Sequence, residues 1–137
     1  MRLAELRAMT PEKWRALRQE MRQARKLPKL NEHFRKHGKS FEDLGVVDAK
    51  QMQALFLAHL RRSDLEAFTY IATQKATQYR QWVLVGMDNG VVAIYNESKR
   101  RYWTFMHQSE LAEYLNGGRG WWLKVDNLGD KAQVRRW

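Results

Sequence analysis

The chain has 137 residues, a net charge of +10 and 44% hydrophobic residues, a composition that favours one folded, strongly basic domain over a disordered tail. It has no cysteine, which excludes disulfides and thiolate chemistry. No stretch approaches the ~20 apolar residues of a membrane span, so we expect no membrane span and a cytoplasmic site of action. The surplus of 25 Lys and Arg over 15 Asp and Glu favours a phosphate-bearing partner, with an anionic membrane surface as the alternative.

The first predicted helix begins at Thr10 and Pro11, a suitable N-cap followed by a proline at the first helical position. Apolar residues recur at spacings of three and four from Trp14 to Ala24 and predict a buried stripe, and Pro28 is expected to end the helix. A cationic stripe lies beside it, which either is a solvated helix face or follows a phosphate backbone. Its members are Arg15, Arg18, Arg22 and Arg25.

Two further helices are predicted in the first half of the chain. One covers residues 29–37, with Gly38 as its C-cap glycine, and residues 40–43 form a short turn after it. Asp48 and Gln51 make a capping-box-like start to the next helix, which runs to Arg61. Its side chains expected to face the core are Met52, Leu55, Phe56, His59 and Leu60.

The second half of the chain is rich in β-branched and aromatic residues, which predict strands. An Asn89-Gly90 hairpin signal separates the second strand from the third. The four predicted strands cover residues 68–71, 79–85, 91–95 and 102–106. Together they predict an antiparallel meander.

Smaller elements are expected after the meander. Residues 110–115 predict a short helix, residues 120–125 can add a strand or cover the sheet, and the tail from 127 to 137 is expected to be loosely held. The predicted fold class is therefore α+β, with N-terminal helices packed on one face of a four-stranded antiparallel meander sheet and a short C-terminal helix and strand. We divide the chain into a basic helical segment (1–27), an α+β domain (28–126) and a tail (127–137).

The four histidines are the side chains that titrate near neutral pH without perturbation. His59 lies on the apolar face of its helix and is predicted to be a core residue. His33 and His37 have the four-residue spacing of a zinc pair, but no third ligand is evident and Arg35 and Lys36 repel a dication, so no metal is predicted. The helix dipole raises the pKa of His37 and the flanking cations lower it, which suits a general base, while a plain C-cap role is the alternative.

Metal-independent RNA cleavage requires a base for the 2′-hydroxyl, cations for the phosphorane and an acid for the leaving oxygen. These parts could be supplied without a cofactor by His37 with Lys36, Lys39, Arg80 and the hydroxyl of Thr104. RNA is favoured over DNA because DNA lacks the attacking hydroxyl. Side chains expected to bind the nucleic acid besides the cationic stripe are Arg35, Lys39, Lys75, Arg80 and Trp103. The sheet aromatics that could stack on bases are Tyr79, Trp82, Tyr95, Tyr102 and Trp103. About half of them must face the core instead, because strand side chains alternate.

The order of these parts resembles the colicin D-type branch of the barnase, EndoU, colicin and RelE superfamily, whose members are small metal-independent ribonuclease toxins. The resemblance covers residues 29–115. It rests on Lys36-His37-Gly38 at the end of a basic helix, on Phe41 and a further helix, and on a meander that ends in Tyr102-Trp103-Thr104-Phe105.

The resemblance implies roles and partners. His37 would be the catalytic histidine, with Lys36 and Lys39 binding phosphate. The hydroxyl residue near a tryptophan on a late strand would be Thr104, which here follows the tryptophan. The resemblance also implies tRNA as the substrate, cyclic 2′,3′-phosphate product ends, and an acidic immunity or antitoxin protein as a partner.

Two other functions are compatible with the sequence. The chain could be a non-enzymatic RNA- or DNA-binding protein of phage or plasmid origin, in which the cationic stripe and the sheet aromatics do all the binding. It could also dock on an acidic protein through the apolar stripe that begins at Trp14. The first alternative predicts salt-dependent binding with intact strands, and the second predicts binding that persists after nuclease treatment.

Overall fold

A computed structural model describes residues 11–116, 123–125 and 134–136. Helices precede an antiparallel sheet, so the predicted α+β class is confirmed. The helices are α1 (Pro11–Arg22), α2 (Leu30–His37), a 3-10 helix (Gly38–Leu44), α3 (Ala49–Leu60) and α4 (Leu111–Asn116). The strands are β1 (Glu66–Gln74), β2 (Thr77–Val85), β3 (Val91–Asn96), β4 (Arg101–His107), β5 (Leu123–Val125) and β6 (Val134–Arg136). In this part of the chain, no helix is long and apolar enough to cross a bilayer.

The sheet has the strand order β4-β3-β2-β1-β5-β6, and every neighbouring pair is antiparallel. The predicted meander from β1 to β4 is confirmed. The expected strand within residues 120–125 forms over Leu123–Val125 and pairs with β1, while residues 120–122 lie outside the described residues. The expectation of a loosely held tail is wrong for Val134–Arg136, because their backbone pairs with β5 as β6. Within the described residues, β4 and β6 are therefore the edge strands.

The sheet buries both of its faces. The helices α1, α2 and α3 cover one face, where their apolar side chains pack around Trp82 and Phe105. The short helix α4 covers the other face, where Leu115 packs among side chains of β1 to β4. The residues buried on this second face are Phe68, Tyr70, Val83, Val85, Val92, Ile94, Met106 and Leu115. The helices are thus on both sides of the sheet, with the larger core on the side of the N-terminal helices.

The helix α1 is part of the main core. Its predicted apolar stripe is buried: Trp14 is 1% exposed and its ring lies 5.0 Å from that of Trp82. This stripe is therefore not available for docking on an acidic protein. The helix ends at Arg22, well before Pro28, so Arg25 lies outside it and the predicted four-arginine stripe is interrupted. Without an intervening C-cap signal, the proline marks only the latest possible end of the helix.

The guanidinium of Arg22 stabilises the end of another helix. Its Nε and Nη2 donate to the carbonyls of Leu60 and Arg61 at 3.2 and 2.8 Å. These carbonyls lie at the C-terminus of α3, where backbone acceptors lack partners within the helix. A cation is also favoured there by the helix dipole. Arg22 thus has a structural role at the C-terminus of α3.

Gly38 does not end α2 as a left-handed C-cap. Its φ and ψ are −57° and −35°, in the right-handed helical region, and the chain continues directly into the 3-10 helix. A Cβ atom at this position would lie 2.8 Å from two ring atoms of Phe34. The glycine is therefore required by the close approach of the Phe34 ring and not by a positive φ, which corrects the sequence-based prediction.

The start and the buried face of α3 agree with the sequence. The Asp48 carboxylate accepts a hydrogen bond from the backbone N–H of Gln51 at 2.8 Å, as an N-cap should. The amide oxygen of Gln51 accepts from the backbone N–H of Val47, one residue before the capping-box position. The predicted core-facing residues Met52, Phe56, His59 and Leu60 are buried and Leu55 packs against them. The core assignment of His59 is thereby confirmed.

Buried His59 makes the stability of the fold dependent on pH. The side chain is 2% exposed and its Nε2 donates to the carbonyl of Leu84 at 3.0 Å. Burial lowers the pKa of His59 to about 4, despite that hydrogen bond. The unfolded chain binds this proton near pH ~6.5, so stability should decrease as the pH falls through this range and lose about 3 kcal/mol below pH ~4.

We expect His59→Gln to flatten this dependence, because the glutamine amide can donate to Leu84 but does not titrate. The measurement is the free energy of unfolding in urea at several pH values between 4 and 7. The variant is compared with the wild-type chain, whose other titrating groups are the same. An equally steep slope in the variant would contradict the assignment to His59.

Candidate functional site

The helix α2 and the 3-10 helix are attached to the edge strand β4. His33 Nε2 donates to the carbonyl of Trp103 at 2.7 Å, and His107 Nδ1 donates to the carbonyl of Ser40 at 2.7 Å. Because a carbonyl can only accept, each bond identifies the ring nitrogen that carries a hydrogen. The first bond holds α2 against β4, and the second holds the 3-10 helix against the same strand. Attached helices also protect the edge strand from pairing with other chains.

A β-bulge in β4 lies opposite this face of α2. The register between β3 and β4 shifts after Ile94: Ile94 pairs with Thr104, whereas Tyr95 pairs with Tyr102. Trp103 is therefore the extra residue of the bulge. Bulges change the direction of neighbouring side chains and are frequent beside functional sites. Here Trp103 and Thr104 are both half-buried and both line a cavity shared with α2.

This cavity, which we term the histidine cavity, has a volume of about 170 Å³. Its α2 side is formed by residues that recur at helical spacing and so share one face. Its lining consists of Lys29, Glu32, His33, Lys36, His37, Trp103 and Thr104. The three predicted catalytic residues, Lys36, His37 and Thr104, thus lie around one space, together with the predicted base-binding Trp103.

His37 is half-buried in the histidine cavity, and this burial controls its protonation. Burial lowers the pKa of His37 below 6.5, and the charges of His33 and Lys36 lower it further. The imidazole is therefore mostly neutral at pH 7 and can accept a proton. The sequence predicts that the helix dipole and the flanking cations shift the pKa of His37 in opposite directions. Burial against β4, which the sequence does not reveal, is the largest cause.

His33 is a neighbour of His37 on the same face of α2. The two ring centroids are 6.1 Å apart, and His33 Nδ1 lies 3.3 Å from the carbonyl of Lys29. Both ring nitrogens of His33 thus face backbone carbonyls. Among the described residues, no group of three or more His, Cys, Asp or Glu side chains is placed to hold a metal ion. His33 therefore positions α2 on the edge strand.

Two predicted phosphate-binding residues lie elsewhere on α2 and the 3-10 helix. Arg35 and Lys39 line a second cavity of about 540 Å³ on another flank of α2, which we term the valine cavity. Its remaining lining residues are Phe34, Gly38, Glu42, Val46 and Val47. Lys39 is therefore not among the residues that line the histidine cavity, in contrast to the role implied by the resemblance.

Arg80 and Lys75 are also outside the histidine cavity. Arg80 is 8% exposed and forms a two-point ion pair with Glu97, which also accepts a hydrogen bond from Trp82 Nε1 at 3.1 Å. Its guanidinium is thus committed to an internal carboxylate. Lys75 lies in the turn between β1 and β2 with an exposed side chain. Arg15 and Arg25 are likewise exposed, and Arg18 is half-buried.

The sheet aromatics divide as the strand alternation requires. Trp82, Tyr95 and Tyr102 are buried in the main core. Tyr79 and Trp103 are half-buried and stack on each other, with ring centroids 6.0 Å apart and an interplanar angle of 11°. The guanidinium of Arg101 lies 5.9 Å from the Trp103 ring centroid. Of the predicted base-stacking residues, only this pair is therefore accessible.

Sequence reasoning missed Lys29 and Glu32, and it considered His33 only as a zinc ligand. Counting back four residues, about one helical turn, from His37 reaches His33, and the same step from Lys36 reaches Glu32, so the helical spacing contained that signal. Lys29 is different: it precedes α2 in a left-handed backbone conformation, with φ 51° and ψ 48°. No local pattern of a lysine predicts that conformation, which non-glycine residues seldom adopt.

Comparison with known proteins found no relative: no family model, no curated protein and no solved structure matches the chain. The resemblance to the ribonuclease toxins is therefore neither supported nor contradicted by such matches.

Proposed function

We propose that the chain is a metal-independent endoribonuclease that cleaves RNA by attack of a 2′-hydroxyl on the adjacent phosphorus. The observation that supports this proposal is the convergence of a neutral histidine, two lysines and a hydroxyl around one small cavity. These are His37, Lys29, Lys36 and Thr104. At about 170 Å³ the cavity is below the ~300 Å³ of typical small-ligand pockets and suits a phosphate group better than a whole nucleotide.

The reaction uses each of these groups once the phosphate is bound. His37 accepts the proton of the 2′-hydroxyl, and the 2′-oxygen forms a bond to phosphorus as the bond from phosphorus to the 5′-oxygen breaks. The ammonium groups of Lys29 and Lys36 stabilise the dianionic phosphorane, and Thr104 donates a hydrogen bond to it. The imidazolium of His37 returns the proton to the leaving oxygen. The products are a 2′,3′-cyclic phosphate and a 5′-hydroxyl.

The lowered pKa of His37 determines the expected pH dependence. The base must be neutral, so activity should fall with decreasing pH through the His37 pKa, below about 6.5. We propose tRNA as the substrate and an acidic immunity or antitoxin protein as the inhibitor, both on the strength of the sequence resemblance. Cleavage of tRNA would put the site of action in the cytoplasm.

The direct test is incubation of total tRNA with the protein in EDTA, followed by mapping of the product ends. We expect discrete fragments with 5′-hydroxyl ends, which a polynucleotide kinase labels without prior phosphatase treatment. Their 3′ ends should accept a ligated adaptor only after the cyclic phosphate is opened and removed. Fragments with 5′-phosphate ends, or intact tRNA at equimolar protein, would contradict the proposal.

A non-enzymatic RNA- or DNA-binding protein is the second candidate. It is favoured by the accessible Tyr79 and Trp103 stack beside Arg101, since stacked aromatics with a cation suit unpaired bases without any chemistry. This function requires binding that weakens steeply with salt while the strands stay intact. The tRNA experiment separates the two candidates, because only the first changes the length of the RNA.

A further inference from the structure

The helix α2 separates the predicted basic cluster onto two flanks. Neighbouring helical residues are ~100° apart around the axis, so a run of four or five consecutive residues cannot all face the same side. Lys36 and His37 line the histidine cavity, whereas Arg35 and Lys39 line the valine cavity. The second pair of cations is thus left without a role in the proposed reaction.

The valine cavity combines an apolar wall with a charged rim. Its apolar side chains are the half-buried Phe34, the buried Val46 and the exposed Val47, which is 69% exposed. Arg35 and Lys39 are exposed beside them. The volume of about 540 Å³ lies within the ~300–1,000 Å³ of small-ligand pockets. Glu42 is the one carboxylate in the lining, so the rim is cationic overall.

We infer that the valine cavity binds an unpaired nucleotide of the same RNA whose scissile phosphate lies in the histidine cavity. The inference rests on the proposed function, which brings RNA to α2. The base contacts Phe34 and Val47, and the phosphate lies near Arg35 and Lys39. Cationic grooves with apolar or aromatic contacts for the bases are the usual means of binding single strands. Duplex bases are stacked inside the helix and are not available for this contact.

The position of the cavity favours RNA over an acidic protein segment as its occupant. An α-helix with its side chains is only ~10–12 Å across. A flexible strand held at the histidine cavity therefore reaches the valine cavity within a few nucleotides. RNA is also the partner that the proposed reaction itself brings to α2. The substrate class that follows is unpaired RNA that extends past the cleaved bond.

The test compares Val47→Glu with the matched control Met87→Glu. Val47 and Met87 are the two exposed large hydrophobic residues of the described chain, at 69% and 46%, and Met87 lies in the β2–β3 hairpin. Both variants change the net charge equally, and neither removes a buried side chain. The substrates are a dinucleotide, which fills only the histidine cavity, and an unpaired oligonucleotide long enough to span both cavities.

We expect Val47→Glu to lower kcat/KM for the longer oligonucleotide about tenfold more than Met87→Glu does, the effect of losing ~1.4 kcal/mol of binding. Cleavage of the dinucleotide should be the same in both variants. Val47→Lys should instead increase kcat/KM for the longer substrate. The inference would be overturned if Val47→Glu and Met87→Glu changed kcat/KM for the longer oligonucleotide equally, and an acidic protein would then be the remaining candidate occupant of the cavity. It would also be overturned if Val47→Glu lowered kcat/KM equally for both substrates.

A binding measurement separates this inference from the proposed function. The probe is a fluorescein-labelled 2′-O-methyl oligonucleotide, which has no hydroxyl to attack the phosphate. If the wild-type chain cleaves no RNA, the proposed ribonuclease fails, but an anisotropy titration still tests the cavity. Weaker binding by Val47→Glu than by Met87→Glu supports the site, and equal binding overturns it.

Discussion

Replacing His37 by alanine is expected to lower RNA cleavage by about 10³-fold, within the 10²–10⁴-fold that a general acid or base contributes. The half-buried imidazole, whose pKa is lowered first by burial, is the base of the proposed reaction. Both ring nitrogens of His33, the other histidine of the cavity, face backbone carbonyls. RNA binding should stay close to that of the wild type, because Lys29 and Lys36 remain. The measurement is kcat/KM on tRNA in EDTA, with anisotropy for binding.

The matched control for His37→Ala is His107→Asn. His107 also lies where the 3-10 helix meets β4, but it is not among the residues that line the histidine cavity. An asparagine amide can replace the Nδ1–H that donates to the Ser40 carbonyl. The control should therefore retain cleavage. Undiminished cleavage by a clean His37→Ala preparation would refute the proposed mechanism.

Replacing Trp14 by alanine is expected to lower the free energy of unfolding by about 4 kcal/mol, as large-to-small substitutions of buried aromatics do. The Trp14 side chain is 1% exposed and packs on the fully buried ring of Trp82 in β2. Its removal leaves a void between α1 and the sheet. The measurement is urea unfolding followed by far-UV circular dichroism, which does not depend on the deleted fluorophore.

The neighbouring Arg15 supplies the control for Trp14→Ala. Arg15 is exposed on the same helix, so Arg15→Ala should change the free energy of unfolding by less than about 0.5 kcal/mol. A loss below ~1 kcal/mol for Trp14→Ala would mean that α1 is not part of the cooperative core.

Polar contacts give a second reason to expect that α1 and the sheet unfold together. Tyr102 donates to the carbonyl of Met21 at 2.6 Å, and Tyr95 donates to the carboxylate of Glu20 at 2.6 Å. Arg100 also donates to Glu20, at 2.7 Å. The hydrogen bonds from Tyr95 and then Arg100 lower the pKa of Glu20. The helix is thus joined to β3, to β4 and to the turn between them.

Much of the fold could be predicted from the sequence because its signals are local. The Asn89-Gly90 hairpin, the Asp48 cap of α3 and the apolar stripe that begins at Trp14 each depend on residues a few positions apart. Turn geometry, capping and helical periodicity act over that distance. The same reasoning failed at Gly38, where a contact with the Phe34 ring and not the backbone conformation requires glycine.

The candidate site was predicted only in part. The sequence by itself determined the order of helices and strands, the buried state of His59 and a basic segment that contains His37, because these follow from short-range patterns. The tertiary structure decided which charged and polar groups meet. The helix α2 lies on β4, so that His37 and Thr104 line the same cavity. Arg80 pairs with Glu97, and Arg35 and Lys39 line a different cavity. The physical reason is that burial and charge pairing depend on distances across the fold, which spacing along the chain does not contain.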